Sequence, residues 1–457
     1  MKHRLHSKVA LAAALTVTVV GCRSHEPKPL ALDDAQRAFL ARAVTADSLA
    51  SFSGGLAQRA RDGRFDLSDG ISLAEAEAIA IVFNRDLRLA RAAAGVTQAT
   101  AENAGLWRDP TLGVNLAQIL SGAMSGDLEA IFSVGFTVPL TGRLEAERAR
   151  AAADLHAELT RVAAEEWRVA CDVRRAWARR AALEAELAAA RDVLERVGQV
   201  VAVVDRLEAA GEIARIEARL FRIEDAKLRA QAAAIEAGLV LATRDVESLL
   251  GLPPAIDRRF AGGFSDGIEE SRSELLARAV RTSPAVALAA AQHESSERRL
   301  AQEIRQTWPD VEVAPGFGEQ NGDRQATVGI GVTLPVFNGN RRAIAEAEAA
   351  RALARVRAES ELERVLGEIV AADERRLAAI ARRDSIERTL APMVDTQYAE
   401  AREVARLGEV NTLVLLESLK QQLDAKRELI AARRDESLAA ADVAEAAGPA
   451  SKESQKP

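Results

Sequence analysis

The chain has 457 residues, and its 61 Lys and Arg against 68 Asp and Glu leave a net charge of −7, small beside so many charges of both signs. Phe, Trp and Tyr make up only 4% of it, a profile of long helices packed through small residues, which argues against a compact enzyme core. No basic patch carries interleaved aromatics, so nucleic-acid binding has no support.

Lys2, Arg4 and Lys8 precede an apolar run from Val9 to Val20 that ends in Gly21-Cys22. A membrane-spanning helix needs roughly 20 apolar residues, so this shorter run reads as a secretion signal over residues 1–21, removed from the mature protein. Val19-Val20-Gly21-Cys22 resembles the lipoprotein box, which implies acylation of Cys22 after cleavage. Arg23 follows the cysteine instead of the Asp that tends to hold enterobacterial lipoproteins at the inner membrane, which favours the outer membrane. Residues 22–70 then form a lipid-anchored N-terminal segment. The remaining cysteine, Cys171, has no partner for an intramolecular disulfide.

From residue 71 the chain reads as one unit used twice, 71–250 and 273–446, joined by a turn-rich linker at 251–272 and followed by a flexible tail at 447–457. Trp107-Arg108-Asp109-Pro110 closes a helical stretch, and Trp308-Pro309-Asp310 does so again 201 positions later. Pro139 and Pro335 are 196 positions apart, Gly211 and Gly408 197. The drop from 201 to 196 assigns five extra residues to the strand region of the first copy.

Between these landmarks the period changes from helical to strict alternation, the signal of strands. Leu112, Val114 and Leu116 alternate with Thr111, Gly113 and Asn115; Phe132, Val134, Phe136 and Val138 alternate with Ser133, Gly135 and Thr137. In the second copy Val311, Val313 and Phe317 alternate with Glu312, Ala314 and Gly316, and Val328, Ile330, Val332 and Leu334 with Thr327, Gly329, Gly331 and Thr333. Runs of about 9–11 residues cross a bilayer when tilted, and a face of Thr, Ser and Gly suits a wet lumen. Phe132, Val134, Phe136, Val328, Ile330 and Val332 are therefore expected to face lipid. Four strands cannot close a barrel, and lipid tolerates no open edge, so several chains must combine. Three copies give an even twelve strands, as bacterial barrels use.

A proline-free, Ala-rich and charged stretch from Gly142 to about Asp205 predicts a helix on the order of 90 Å long. It reverses at Ala209-Ala210-Gly211 and returns from Ile213 to about Leu250; the second copy repeats this from Asn340, reversing at Leu407-Gly408-Glu409. Heptad-like spacing of Leu, Val, Ile and Ala fits coiled-coil packing. His156 and His293 stand alone in helical context, and neither an H-E-x-x-H pattern nor clustered Cys and His ligands occur. No catalytic site, cofactor or metal site is read.

The order helix, Trp-Pro-Asp, two strands, Leu-Pro-x-Phe-Asn-Gly, long helix, Leu-Gly-Glu reversal and helix, used twice, resembles the outer-membrane efflux protein family typified by TolC, over about Ile71 to Ala446. The segment Gly105 to Pro110 and the Gly-Glu reversals are most similar to its heavy-metal branch, typified by CzcC. Asn84-Arg85-Asp86-Leu87 departs from the usual Asn-Pro-x-Leu, whereas Ser283-Pro284-Ala285-Val286 keeps the proline. The resemblance implies a mainly α fold with membrane β-strands: a lipid-anchored homotrimer with a twelve-stranded β-barrel in the outer membrane and a periplasmic α-barrel. It implies a conduit for heavy-metal cations, without enzymatic activity, loaded by an inner-membrane RND pump through a membrane-fusion adaptor. Gly211, Glu212, Gly408 and Glu409 would be the adaptor-contact tips. Glu417, nine residues past Gly408, matches the spacing at which TolC-like proteins narrow the closed tunnel. Its orientation is open, because Leu415, Leu416 and Leu419 could turn it either way. A drug-efflux or type I secretion conduit, and a non-channel periplasmic coiled-coil protein, are the alternatives.

Overall fold

The structure, a computed structural model, describes residues 25–44, 68–118, 128–254, 258–265, 267–320, 323–406 and 412–450. The chain divides into a short N-terminal unit ending at Ala43 and a main unit from Val44 onward. Among its described residues the first holds one short helix, α1 (Leu32–Leu40), with Arg42 stacked on the Phe39 ring.

In the main unit each copy begins with a broken helix. Helices α2 (Leu73–Phe83) and α3 (Arg85–Glu102) open the first copy; α6 (Arg272–Thr282) and α7 (Pro284–Arg305) open the second. Ser72 and Ser271 both start their helices with a capping box, the hydroxyl accepting from the N–H of Glu75 or Glu274 while that carboxylate accepts from the serine N–H. At the break, Asn84 caps α3 by accepting from the N–H groups of Asp86 and Leu87. Arg85 therefore occupies the first helical position that Pro284 holds in the second copy. That position needs no intrahelical N–H, so the missing proline leaves the geometry intact.

The long helices follow. Helix α4 (Arg143–Ala210) has 68 residues, a rod of about 100 Å. It ends at Gly211, whose φ of +79° is the left-handed cap that glycine adopts without strain. Helix α5 (Arg215–Leu249) returns alongside it. The second copy differs from the expected repeat. Helix α8 (Arg341–Ser385) passes through a π-helical turn at Ile386–Leu390 into α9 (Ala391–Arg406) before α10 (Thr412–Ala447) returns. Pro392 is the physical cause: it offers no N–H and its ring would collide with the carbonyl four residues back, which the wider turn relieves.

The three largest apolar clusters among the described residues hold the rods together. Near the joint of the first copy, Ile79, Ile81 and Leu87 pack on Val169, Val173 and Trp177 of α4, on Val246 of α5 and on Leu250 just past its end. The second copy repeats this with Leu275 and Ala279 against Val365, Ile369 and Val443. Toward the far ends, Val193, Val197 and Val204 meet Phe221 and Leu228 together with Leu416, Leu419 and Leu423 from α10, so the two hairpins share one core. Each fully buried side chain of this size contributes about 1.5–3 kcal/mol.

Described residues of the linker 251–272 pack into the joint. Gly251 has a φ of +66°, and a Cβ there would come within 2.1 Å of the Phe83 carbonyl oxygen; Gly448 has +83° and 2.0 Å to that of Thr282. The same close approach thus closes both copies. Ile71 bridges Phe260 in parallel, the Trp177 indole donates to the Gly263 carbonyl at 2.9 Å, and the Arg180 guanidinium lies against both the Trp177 and Phe260 rings.

Candidate functional site

The four strands form one antiparallel sheet in the order β1 (Thr111–Gln118), β2 (Leu128–Val138), β3 (Val311–Gln320), β4 (Asp323–Val332). Neighbours β2 and β3 are separated in sequence by the whole first helical hairpin and the start of the second copy. β4 stops at Val332, two residues short of the expected Leu334, because its partner strand begins at Val311 and Pro335 can donate no ladder bond. The connection between β1 and β2 spans positions 119–127, that between β3 and β4 only 321–322.

The register places the alternation of all four strands in phase. Leu112 faces Val134 and Val114 faces Phe132; Phe132 faces Phe317 and Phe136 faces Val313; Val313 faces Ile330, and Val311 faces Val332. One face is thus a continuous apolar layer. No described residue of the chain covers it: Phe132 is 56% exposed, Val328 68% and Ile330 74%. An apolar patch of this extent is unusual on a soluble monomer and marks an interaction surface.

In the half nearest the helices the opposite face is small and hydroxylic apart from Glu312, and its members interlock. A Cβ on Gly113 would come 2.7 Å from the Ser133 hydroxyl, on Gly135 2.5 Å from that of Thr111, and on Gly316 2.7 Å from that of Thr327. The hydroxyls lean over the glycines, giving a smooth polar lining with little side-chain bulk. Between Ser133↔Gly316 and Phe136↔Val313 the β2–β3 ladder lapses, at the level where Pro315 supplies no N–H. Among the described residues nothing pairs with the outer sides of β1 and β4, which are the edges of the sheet.

The helical ends carry the other expected sites. Gly211 and Glu212 form the described reversal, with open space around Gly211; Gly408 and Glu409 lie outside the described residues, as does Cys22. Glu417 is on α10, exposed, with Lys420 3.7 Å from its carboxylate and Gln421 donating to it at 3.4 Å. Its neighbours Leu416 and Leu419 enter the shared core, so Glu417 points away from it.

Elsewhere the polar chemistry is structural. A groove of about 630 Å³ is lined by Arg161, Glu165 and Arg168 of α4 and by Arg357, Glu361 and Arg364 of α8, one pattern repeated in both copies. Hydrogen bonds from Arg168 and Arg364 hold the carboxyls of Glu165 and Glu361 below the usual range, overcoming the opposing effect of burial. Burial pushes the Cys171 thiol up to about 12, so it stays a protonated, inert core residue. Among the described residues no group of three or more His, Cys, Asp and Glu is placed to hold a metal ion. No described helix is long and apolar enough to cross a membrane, a statement that bears on helices alone. Glu312 stands in the sequence as one more polar position of the alternation; its charge among Thr, Ser, Ala and Gly in the half of that face nearest the helices is the signal that marks it.

No known family profile and no curated relative matches the chain. Solved structures do. CusC, whose crystal structures address folding and transmembrane channel formation, superposes with a TM-score of 0.68 over 85% of this chain and 96% of its own at 16% identity. A membrane protein from Pseudomonas aeruginosa gives 0.67 over 84% and 96% at 19% identity. The CmeC outer membrane channel of Campylobacter jejuni gives 0.67 over 82% and 85% at 14% identity. The chain therefore has the mainly helical, four-stranded fold of these channels, which is the fold implied by the resemblance in its sequence.

Proposed function

We propose that this protein is the outer-membrane conduit of a tripartite efflux system and acts as a homotrimer. The observation that carries this is the sheet, with an uncovered apolar face, a glycine and hydroxyl face, and two free edges. Lipid satisfies an apolar face but not an open edge, so the sheet becomes stable in a membrane when β4 of one chain pairs with β1 of the next, and three chains close a twelve-stranded barrel. The rods continue the wall below it as a periplasmic tunnel. Their reversals at Gly211, Glu212, Gly408 and Glu409 meet a membrane-fusion adaptor, through which an inner-membrane RND pump supplies cargo and energy, and the conduit itself catalyses no reaction. Acylation of Cys22 adds a lipid anchor, and Glu417 narrows the closed tunnel. Heavy-metal cations are the proposed cargo, on the likeness of Gly105 to Pro110 and of the Gly-Glu reversals to the heavy-metal branch.

The test of assembly is the mass of the detergent-extracted protein, expected to be three chains; a monomer that stays in aqueous buffer after removal of the anchor would favour a non-channel coiled-coil protein. The test of cargo is which pump copurifies, a drug-type or protein-secretion pump being the result against metal ions.

A further inference from the structure

The glycine and hydroxyl face contains one charged side chain in the half of the sheet nearest the helices. Positions 111, 113 and 115 on β1, 133, 135 and 137 on β2, 314 and 316 on β3, and 327, 329 and 331 on β4 are Thr, Gly, Asn, Ser or Ala. Glu312 is the exception. Its strand partners are Thr137 and Gly331. A Cβ built on Gly331 would lie 3.5 Å from its carboxylate oxygen, so the side chain rests over that glycine on the polar face. Two residues earlier Asp310 is paired with Arg143 at 3.2 Å, and Glu417 has Lys420 beside it. Glu312 is exposed and has no ion-pair partner among the described residues.

We propose that Glu312 sets the charge selectivity of the conduit, one carboxylate from each of three chains forming an acidic ring inside the barrel where the strands leave the helices. This rests on the trimeric barrel proposed above. Twelve strands about 4.8 Å apart and tilted by about 40° give a backbone radius of about 12 Å, which brings the carboxylates to about 7 Å from the axis. That is within the Debye length of about 8 Å at physiological salt, so an ion on the axis feels all three. Thr137 and Gly331 offer no cation to offset them. Three screened charges at this distance favour a monovalent cation over an anion about tenfold near 0.15 M salt and about twofold at 1 M. Divalent cations gain more, which fits a metal-ion cargo.

The experiment is the reversal potential of the purified full-length protein in planar bilayers under a KCl gradient. Wild type is expected to prefer K⁺ at low salt and to lose most of that preference at 1 M. Glu312→Gln should remove most of it and Glu312→Lys should invert it. Thr137→Lys, which sets an ammonium opposite the intact carboxylate, should cancel it and provides the test if the Glu312 variants fail to assemble. Conducting Glu312→Gln or Thr137→Lys channels with the wild-type reversal potential would overturn the proposal. Protein that forms no channel either as wild type or as Glu417→Ala would instead overturn the barrel reading on which it rests.

Discussion

Arg at position 328 perturbs the sheet where the membrane reading makes its strongest demand. Val328 lies near the middle of β4, opposite Pro315, on the apolar face. If that face meets lipid, Val328 is near the bilayer midplane, where Arg costs roughly 2–4 kcal/mol per chain. Three copies, far enough apart to act independently, raise this to roughly 6–12 kcal/mol per trimer. A loss of that size is comparable with the whole stability of about 5–15 kcal/mol typical of a folded domain. Thr327 is the adjacent residue at the same depth on the other face, its hydroxyl over Gly316. Thr327→Arg keeps the guanidinium in water, and its expected cost is about 0.5–1 kcal/mol per chain. The assay is refolding into lipid vesicles across a urea series, with heat-resistant trimer read by electrophoresis. Val328→Arg should fail to assemble where Thr327→Arg succeeds. Equal assembly, or greater damage from Thr327→Arg, would refute the assignment of the faces.

Other substitutions probe the joints, the anchor and the tunnel. Gly251→Ala and Gly448→Ala combine a left-handed backbone with a Cβ driven into a carbonyl, so each should cost about 3 kcal/mol; Gly211→Ala, with the same backbone sign but open space, should cost about 1 kcal/mol. Chemical denaturation of the detergent-extracted protein measures this, and equal losses at all three would remove the close approach as the cause. Cys22→Ser should abolish incorporation of labelled fatty acid while the barrel still inserts; label in the variant would exclude that anchor. Glu417→Ala should raise single-channel conductance and weaken block by multivalent cations, and unchanged values would assign Glu417 to an outer surface.

What was legible in the sequence was local and periodic. Alternation at Leu112 to Leu116, Phe132 to Val138 and Val328 to Val332 identified strands and faces together, because a period of two fixes both. The proline-free run after Gly142 and the glycine at 211 marked the longest rod and its end. Pairing across long separations was not legible: nothing near Phe132 or Phe317 says that β2 lies against β3. The role of Gly251 and Gly448 was hidden for the same reason, since a turn glycine and one pressed against a distant carbonyl look alike in one dimension. Pro392 was visible, but a proline can break, kink or widen a helix, and the surrounding packing selects the π turn. Glu417 could not be oriented because its leucine flanks fit either direction; Leu416 and Leu419 now occupy the hairpin core. Arg180 and Arg376 show how one architecture tolerates different chemistry: the first lies between aromatic rings, whereas the second pairs with the buried Asp373 at 2.7 Å.

The central claim is that three chains enclose a continuous passage across a membrane, and single-channel recording of the detergent-extracted protein in planar bilayers tests it most directly. Insertion is expected in discrete steps of uniform conductance, each from one trimer, with Val328→Arg giving none and Thr327→Arg retaining them. Glu417→Ala protein, in which the closed tunnel is widened, that binds the bilayer without any conductance step would contradict it.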